Sequence, residues 1–233
     1  MGAADLGIEL NDNQLFLFQK YFDEMIDWNT RINLTSITGC IDVQEKHFLD
    51  SLTVFLALPQ PIPNNFRIID VGSGGGFPGI PLKIAFPQIE LVLLESTGKK
   101  ANFLKHLTET LALKEVRVLN GRAEEIANQP EHRETFDAVV ARALAEMAAL
   151  AELTLPFCRI GGLLVAQKKG EMADEIAASK KAISILGGGV PRMIPVHLPA
   201  FSDNRCLIVV NKLSATPHQF PRRSGMPSKR PLA

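Results

Sequence analysis

The sequence predicts an α/β protein built on a mostly parallel sheet, and three observations support this fold class. Residues 67–71 form a short apolar segment that runs directly into a glycine-rich turn. From Phe66 onward, strand-like apolar segments alternate with helix-like segments. The last two apolar segments are joined by the turn-rich stretch PAFSDNR, which suits a hairpin. Parallel strands need crossover helices, whereas a closing hairpin adds a strand that runs against the others.

The first predicted elements are helices. Apolar residues at positions 15, 18, 22, 25 and 26 follow helical spacing behind Asn11 or Asp12, either of which can cap the helix. A second helix is predicted over 43–58, after the loop RINLTSITG, and the proline-rich stretch PQPIPNN ends this part of the chain. We therefore expect a helical extension over residues 1–60, an α/β domain over 61–213 and a basic tail over 214–233.

The predicted α/β domain has seven strands and five intervening helices. The strands are expected at 67–71, 90–95, 115–119, 136–141, 162–167, 192–197 and 205–212. The helices are expected at 79–86, 98–112, 122–128, 145–157 and 171–186. Because the final two strands form a hairpin, the sheet should be mostly parallel with its last strand antiparallel.

The glycine-rich turn after the first strand is a predicted ligand site. Residues 74–79 satisfy G-x-G-x-x-G, but a run so rich in glycine matches this pattern easily. Asp70 precedes the turn, where a carboxylate repels a pyrophosphate and attracts an ammonium group. Pro78 removes an N–H donor where a dinucleotide-binding helix would begin. S-adenosylmethionine, which has an ammonium and a sulfonium but no phosphate, fits this turn better than NAD.

Glu95 ends the second predicted strand, about twenty residues beyond the turn. A carboxylate at this position accepts hydrogen bonds from both ribose hydroxyls in dinucleotide and adenosylmethionine sites. The alternative is a carboxylate that is merely solvated at the end of a strand. The preceding Asp70 and glycine turn favour the ribose-binding role.

Composition and charge restrict the function further. Net charge is zero, yet residues 1–66 hold nine acids and three bases, while five bases and no acid follow Asn211. A neutral chain with an acidic N-terminal third is a poor binder of naked RNA. Cys40, Cys158 and Cys206 are scattered without a C-x-x-C pair, so we expect neither disulfides nor a metal site. With no signal-like or membrane-length apolar run, the expected location is cytoplasmic.

Several segments, in order along nearly the whole chain, resemble one known family. They are WNTRINLTS, HFLDS, RIIDVGSGGGFPGIPL, LLESTGKKANFL, GRAEE, FDAVVARAL and FPRRSGMPSKRPL. They are similar to the RsmG family, also called glucose-inhibited division protein B, of small-subunit ribosomal RNA guanine-N7 methyltransferases. The resemblance implies a three-layer, Rossmann-like class I S-adenosylmethionine-dependent methyltransferase fold. It also implies methyl transfer from this cofactor to N7 of one guanine in 16S ribosomal RNA.

The resemblance also implies which residues bind the cofactor. Arg142 follows the fourth strand and either pairs with a nearby acid or holds a carboxylate or phosphate. Residues 122–125 either face the adenine or simply begin a capped helix. The full predicted cofactor set, from the residues and the resemblance together, is Asp70, Gly72, Gly74, Phe77, Glu95, Ala123, Glu124 and Arg142.

The segment after the fourth strand indicates which chemistry is absent. It reads ARAL and lacks the Asn/Asp-Pro-Pro-aromatic turn of enzymes that methylate exocyclic amines. Cys158 has the sequence context of a small buried residue rather than of a nucleophile. Guanine N7 carries no proton, so methyl transfer to it needs positioning and exclusion of water. We therefore assign no general base.

Predicted substrate contacts lie in two groups. His47 and Asp50 share one helical face near Asn33, and they either form part of the guanine pocket or satisfy each other. The second group comprises the basic residues expected to contact phosphates, Lys168, Arg222, Arg223, Lys229 and Arg230. The alternative for the tail residues is a solvated end of the chain.

The expected partner is ribosomal RNA within a small-subunit particle, bound by a monomer without membrane or metal. Two rival functions remain at this stage. One is a methyltransferase of another substrate, which would not need the tail or the N-terminal motifs. The other is a non-enzymatic nucleotide-binding protein or an NAD-dependent oxidoreductase, which should respond to NAD rather than to S-adenosylhomocysteine.

Overall fold

The computed structural model describes residues 2–232 of the 233-residue chain. They form a seven-stranded sheet with the order β3-β2-β1-β4-β5-β7-β6. Strands β1 to β5 pair in parallel, and β7 runs antiparallel to both β5 and β6. The predicted mostly parallel sheet with an antiparallel last strand is confirmed. The strands are β1 Arg67–Val71, β2 Glu90–Glu95, β3 Val116–Asn120, β4 Phe136–Arg142, β5 Cys158–Lys169, β6 Arg192–Val196 and β7 Arg205–Asn211.

Helices cover both faces of this sheet. Helix α1 follows Asn11, which caps it. The Asn11 side chain accepts a hydrogen bond from the backbone N–H of Gln14, and the Gln14 side chain accepts one from the backbone N–H of Asn11, which together form a capping box. The α-helices are α1 Asp12–Asn29, α2 Cys40–Val43, α3 Asp50–Leu52, α4 Gly79–Ala85, α5 Gly98–Thr110, α6 Ala123–Ile126, α7 Met147–Thr154, α8 Ala173–Ile185 and α9 Met226–Lys229.

The second predicted helix, over 43–58, is an irregular helical run. It begins at Cys40 with α2, continues as a π-helix over Gln44–Leu49 and as α3, and ends as a 3-10 helix over Thr53–Ala57. Apolar spacing predicts a helix but does not distinguish α-, π- and 3-10 helical geometry. π-helical turns recur at functional sites because the extra residue redirects side chains, and this one carries His47.

Strand β5 is longer than the predicted segment 162–167. The predicted segment begins at Gly162, whereas the observed strand begins at Cys158, ends at Lys169 and continues through Gly161 and Gly162. Gly161 donates to the carbonyl of Lys212 and Gly162 accepts from the N–H of Lys212. A register shift between Phe136 and Ala138 of β4 absorbs the irregularity.

Two apolar layers pack on opposite faces of the sheet. On one face, α1 and the irregular run pack with α4 and α5 against residues such as Ile68 and Leu93. On the other, α7 and α8 pack against residues such as Ile69 and Val139. The side-chain amide of Gln14 joins α1 to the end of α4 through the carbonyls of Ile84 and Ala85, each at 2.9 Å. Consecutive β1 residues thus serve opposite layers of a three-layer fold.

The C-terminal segment packs on the α7 side of the sheet. The Arg133 guanidinium donates to the carbonyls of Phe220 and Thr216, both at 2.9 Å. Arg222 forms an ion pair with Glu152 of α7, whose side chain is fully buried. No helix within residues 2–232 has both the length and the apolar character to cross a membrane.

Candidate active site

The glycine-rich turn joins β1 to α4 and lies at the carboxyl edge of the parallel strands. Gly72 and Gly76 have φ values of 76° and 98°, which side chains rarely adopt. A Cβ at Gly72 would lie 2.7 Å from Leu144 after β4, and one at Gly76 would lie 2.7 Å from the Tyr21 hydroxyl. Glycine is therefore required both by the backbone and by the elements that press on the turn.

Asp70 lies beneath this turn and has no solvent exposure. Its Oδ2 accepts the N–H of Gly79 at 2.9 Å, at the start of α4. Burial raises the pKa of the carboxyl to about 7, although the Gly79 N–H and Arg142 act in the opposite direction. Within residues 2–232 the Oδ1 atom accepts no hydrogen bond. Asp70 thus braces the turn, and one of its oxygens fits a cationic donor such as an ammonium group.

Glu95 joins the ends of β2 and β1. Its Oε2 accepts the N–H of Gly74 at 2.9 Å, and its Oε1 accepts the N–H of Thr97 at 2.7 Å. The carboxylate is nearly buried, and its own carbonyl accepts from the amide of Asn120 at the end of β3. Each carboxylate oxygen retains a lone pair, so ribose hydroxyls can still bind. Glu95 therefore lies directly beside the glycine turn.

Ala123 and Glu124 begin α6 at the same edge. The Glu124 carboxylate accepts the N–H of Gly225 at 2.7 Å, and the neighbouring Glu125 accepts from the Ser224 hydroxyl at 2.9 Å. The Glu124 side chain is therefore turned toward the C-terminal segment. What residues 123–124 can offer an adenine is their backbone.

Arg142 ends β4 and reaches the turn from the other side. Its guanidinium lies 3.0 Å from Asp50 Oδ2, 3.1 Å from the carbonyl of Lys46 and 4.7 Å from the Phe77 ring centre. The imidazole of His47 stacks on the same ring at 4.5 Å. Arg142 thus pairs with a nearby acid, as one of its two predicted roles required, and it also faces the turn.

His47 lies inside this cluster, whereas Asn33 remains exposed on the loop after α1. The His47 Nε2 lies 2.7 Å from the Thr35 hydroxyl, and Nδ1 lies 3.0 Å from the carbonyl of Lys46. Burial and the charge of Arg142 lower the pKa of His47 to about 4. The imidazole is neutral at physiological pH and does not act there as a cation toward phosphate.

The structure gives two of the predicted phosphate-binding residues internal partners. Lys168 Nζ donates to the carbonyl of Ala145 and to Glu175, both at 2.7 Å. Arg222 donates to both carboxylate oxygens of Glu152. A phosphate contact by either residue would have to compete with these internal bonds. The geometry therefore does not favour Lys168 or Arg222 as phosphate-binding residues. Of the predicted phosphate-binding residues in the tail, Arg223, Lys229 and Arg230 remain exposed.

Sequence reasoning missed two site residues. The Tyr21 hydroxyl of α1 donates to the carbonyl of Gly75 at 2.5 Å, and its ring stacks on Phe77. Arg205, the first residue of β7, lies 2.6 Å from Asp50 Oδ1. The sequence offered two signals for them: Tyr21 lies next to the apolar stripe of α1, and Arg205 begins an apolar strand. Neither signal identifies the partner.

The described part of the chain offers neither a nucleophilic Cys158 nor a metal site. Burial raises the pKa of the Cys158 thiol to about 12, so it remains protonated. Among residues 2–232, no three His, Cys, Asp or Glu side chains are grouped to hold a metal ion.

Comparison with known proteins agrees with this geometry. The sequence model of a family described as rRNA small subunit methyltransferase G (GidB) matches residues 14–203. A protein named ribosomal RNA small subunit methyltransferase G from Dehalococcoides mccartyi is 49% identical over 231 residues, 99% of this chain and 97% of that protein. One of the same name from Chloroflexus aggregans is 47% identical over 227 residues, 97% of this chain and 93% of that protein.

Solved structures share the fold at lower identity. An S-adenosylmethionine-dependent methyltransferase from Aquifex aeolicus superposes with a TM-score of 0.53 at 16% identity, over 72% of this chain and 92% of that one. A geranyl diphosphate C-methyltransferase from Streptomyces coelicolor gives a TM-score of 0.52 at 13% identity, over 70% of this chain and 78% of that one. At such identities the similarity concerns the fold alone.

Proposed function

The chain belongs to the rRNA small subunit methyltransferase G family, and we propose that it transfers a methyl group from S-adenosylmethionine to N7 of one guanine in 16S ribosomal RNA. The observation that carries this proposal is the family match along nearly the full chain. The glycine turn, Asp70, Glu95 and Arg142 support it, because they meet at one edge of the sheet with the chemistry that this cofactor requires.

S-adenosylmethionine is the cofactor, and the residues present fit its parts. The unpartnered Oδ1 of Asp70 suits the ammonium, and the Glu95 carboxylate suits the ribose hydroxyls. Arg142 suits the carboxylate of the methionine part, and the backbone of residues 123–124 suits the adenine. When bound, the cofactor supplies an electrophilic methyl group on a positively charged sulfur.

The protein's part in the reaction is to position the groups and exclude water. Phe77 is nearly buried against Tyr21 and His47 and provides an apolar wall beside the turn. The N7 lone pair of guanine is exposed on the major-groove edge and bears no proton. In-line alignment of this lone pair with the methyl group is then the main requirement. His47 is neutral and can accept or donate a hydrogen bond, but no proton has to be removed.

This mechanism predicts a single-turnover rate that is flat between about pH 6.5 and 9 at saturating RNA and cofactor. The pKa of His47, about 4, lies below this range, and that of Cys158, about 12, lies above it. His47→Ala should change RNA binding more than chemistry. Rapid-quench measurements across this range test the prediction. A tenfold rise that His47→Ala abolishes would mean that a proton is removed and would exclude N7 as the target.

Asp70 should make cofactor binding, rather than chemistry, depend on pH. Its pKa of about 7 means that the carboxylate ionises within this range. The ionised form attracts an ammonium group, so cofactor affinity should rise as pH increases from about 6 to 8. Saturating cofactor removes this dependence from the single-turnover rate.

The substrate is proposed to be ribosomal RNA within a small-subunit particle, recognised by a monomer in the cytoplasm. The chain is neutral and its first 66 residues are acidic, so phosphate attraction alone is a weak source of affinity. Exposed Arg223, Lys229 and Arg230 remain candidates for local phosphate contacts. Shape and ribosomal protein surfaces then have to supply the rest.

An assay with radiolabelled S-adenosylmethionine tests the proposed function directly. Naked 16S RNA, small-subunit particles and large-subunit particles are offered at equal concentration, and the labelled nucleoside is identified after digestion. We expect N7-methylguanosine, formed fastest in small-subunit particles. Labelling of another nucleoside would contradict the guanine-N7 assignment, and faster labelling of naked RNA would contradict the particle as substrate.

A further inference from the structure

Five charged side chains form a continuous series of ion pairs at the carboxyl edge of the sheet, here called the arginine–aspartate chain. Arg142 lies 3.0 Å from Asp50, and the other oxygen of Asp50 lies 2.6 Å from Arg205. Arg205 also lies 2.6 Å from Asp203, which lies 3.0 Å from Lys169. Asp50 therefore forms ion pairs with two arginines, one on each oxygen, although the Arg205 contact does not have the geometry of a hydrogen bond.

The two halves of the arginine–aspartate chain differ in exposure. The side chains of Lys169 and Asp203 are 56% and 43% exposed, so water screens that pair and it contributes little. Those of Arg142, Asp50 and Arg205 are 17%, 8% and 4% exposed. Asp203 also pairs with Arg205, so the whole series holds three basic groups for two carboxylates, an excess of one positive charge.

Groups around Arg142 do not neutralise this excess. His47 is neutral, and the carbonyl of Lys46 and the face of Phe77 offer only partial negative charge. Asp70 is the next acid near Arg142; burial raises its pKa to about 7, and its unpartnered oxygen is the one proposed to receive the cofactor's ammonium group. An uncompensated buried charge is costly, so the cluster is suited to one more anionic group at its more exposed end, Arg142.

Arg205 controls how much of Arg142's charge is available to such a group. A carboxylate shared between two guanidinium groups cannot neutralise both. If Arg205 were absent, Asp50 would pair with Arg142 alone and cancel its charge. Arg205 is held for this role by Asp203 and by the Phe201 ring, whose centre lies 4.0 Å from the guanidinium carbon.

We propose that Arg205 is a positioning residue which, by binding the second oxygen of Asp50, leaves Arg142 free to bind the carboxylate of the cofactor's methionine part. This inference rests on the proposed function, which makes S-adenosylmethionine the ligand. An RNA phosphate is the other anion of suitable charge. The position of Arg142 over the Phe77 ring of the cofactor turn, 4.7 Å from the ring centre, favours the carboxylate.

Calorimetric titration with two ligands tests this role. S-adenosylhomocysteine carries the carboxylate, and decarboxylated S-adenosylhomocysteine keeps the adenosine, sulfur and amine without it. The wild-type protein should prefer the carboxylated ligand by about tenfold or more. Arg205→Met should lose most of this preference by weakening only the carboxylated ligand. Arg205→Lys, which keeps the charge beside Asp50, should recover most of it.

Lys169→Met is the matched control, because it alters the solvent-exposed end of the arginine–aspartate chain. It should leave the preference for the carboxylated ligand unchanged. Each preference is a ratio measured on one folded variant, so a general loss of stability does not imitate the effect. Equal weakening of both ligands by Arg205→Met would overturn the proposal and indicate a structural role. If Arg205→Met kept the ligand preference but bound RNA more weakly and with less salt dependence, the proposal would be overturned, and the anion bound by Arg142 would be an RNA phosphate.

Failure of the proposed function gives a different result. If S-adenosylmethionine were not the cofactor, the wild-type protein would bind neither ligand, whatever residue occupies position 205. A wild-type protein that binds S-adenosylhomocysteine tightly, together with an Arg205→Met variant that keeps the full preference, would retain the function and overturn only this inference.

Discussion

Arg222→Ala is expected to lower the free energy of unfolding by about 3 kcal/mol. The change leaves the carboxylate of Glu152 without its guanidinium partner, and breaking a buried ion pair typically costs about 3–5 kcal/mol. Glu152 is fully buried, and Arg222 contacts both of its oxygens. The lower end applies because the backbone N–H of residue 222 can still donate to Glu152. Denaturant unfolding measures the effect.

Arg223→Ala is the matched control for this prediction. Arg223 is the neighbouring, exposed arginine, and its removal should change stability by less than about 0.5 kcal/mol. A double variant with leucine at positions 152 and 222 should recover much of the loss, since an apolar pair needs no charge partner. If Arg222→Ala unfolds at the same denaturant concentration as Arg223→Ala, the tail is not held by this pair.

This expectation changes how the C-terminal segment is understood. Its charge alone indicates a phosphate-binding or solvated tail. In the structure it is bound to Glu152, Arg133 and Glu124, and the last of these opens the helix proposed to face the adenine. Deleting the residues after Pro217 should therefore weaken cofactor binding as well as RNA binding.

Glu95→Ala should weaken S-adenosylhomocysteine binding by about ten- to a hundredfold. The ribose hydroxyls are proposed to donate hydrogen bonds to the charged Glu95 carboxylate, and loss of a hydrogen bond to a charged group costs about 1.5–3 kcal/mol of binding free energy. The same change frees the N–H groups of Gly74 and Thr97, so the glycine turn also loses a restraint. Calorimetric titration gives the dissociation constants.

Glu109→Ala, an exposed position on α5, serves as the control and should bind the ligand as the wild-type protein does. Glu95→Gln keeps one acceptor oxygen and should give an intermediate affinity. A folded Glu95→Ala protein with an unchanged dissociation constant would remove the ribose assignment.

The sequence allowed prediction of those parts of the site that are encoded locally. Asp70, the glycine turn and Glu95 stand at the ends of apolar strands, and parallel strands bring such ends to one edge. The predicted hairpin, and with it the antiparallel last strand, followed from turn residues in PAFSDNR. The helical stripe of α1 was also predictable because its period is intrinsic to the chain.

Contacts between distant side chains could not be predicted in this way. Asp50 and Arg205 meet only because β7 inserts next to β5, and no local pattern selects that pair. Arg222 and Glu152 are separated by 70 positions, so the charge of the tail was visible but its partner was not. The π-helix at Gln44–Leu49 could not be predicted either, because apolar spacing does not distinguish it from an α-helix.

Mapping of N7-methylguanine in 16S ribosomal RNA, from cells with and without this protein, tests the central claim most directly. The account predicts that one guanine is methylated at N7 when the protein is present and unmethylated when it is absent. The wild-type gene should restore the mark, and the Glu95→Ala variant should restore it poorly. An unchanged N7-methylguanine pattern in cells without the protein, or loss of a methyl group at a different atom, would contradict it.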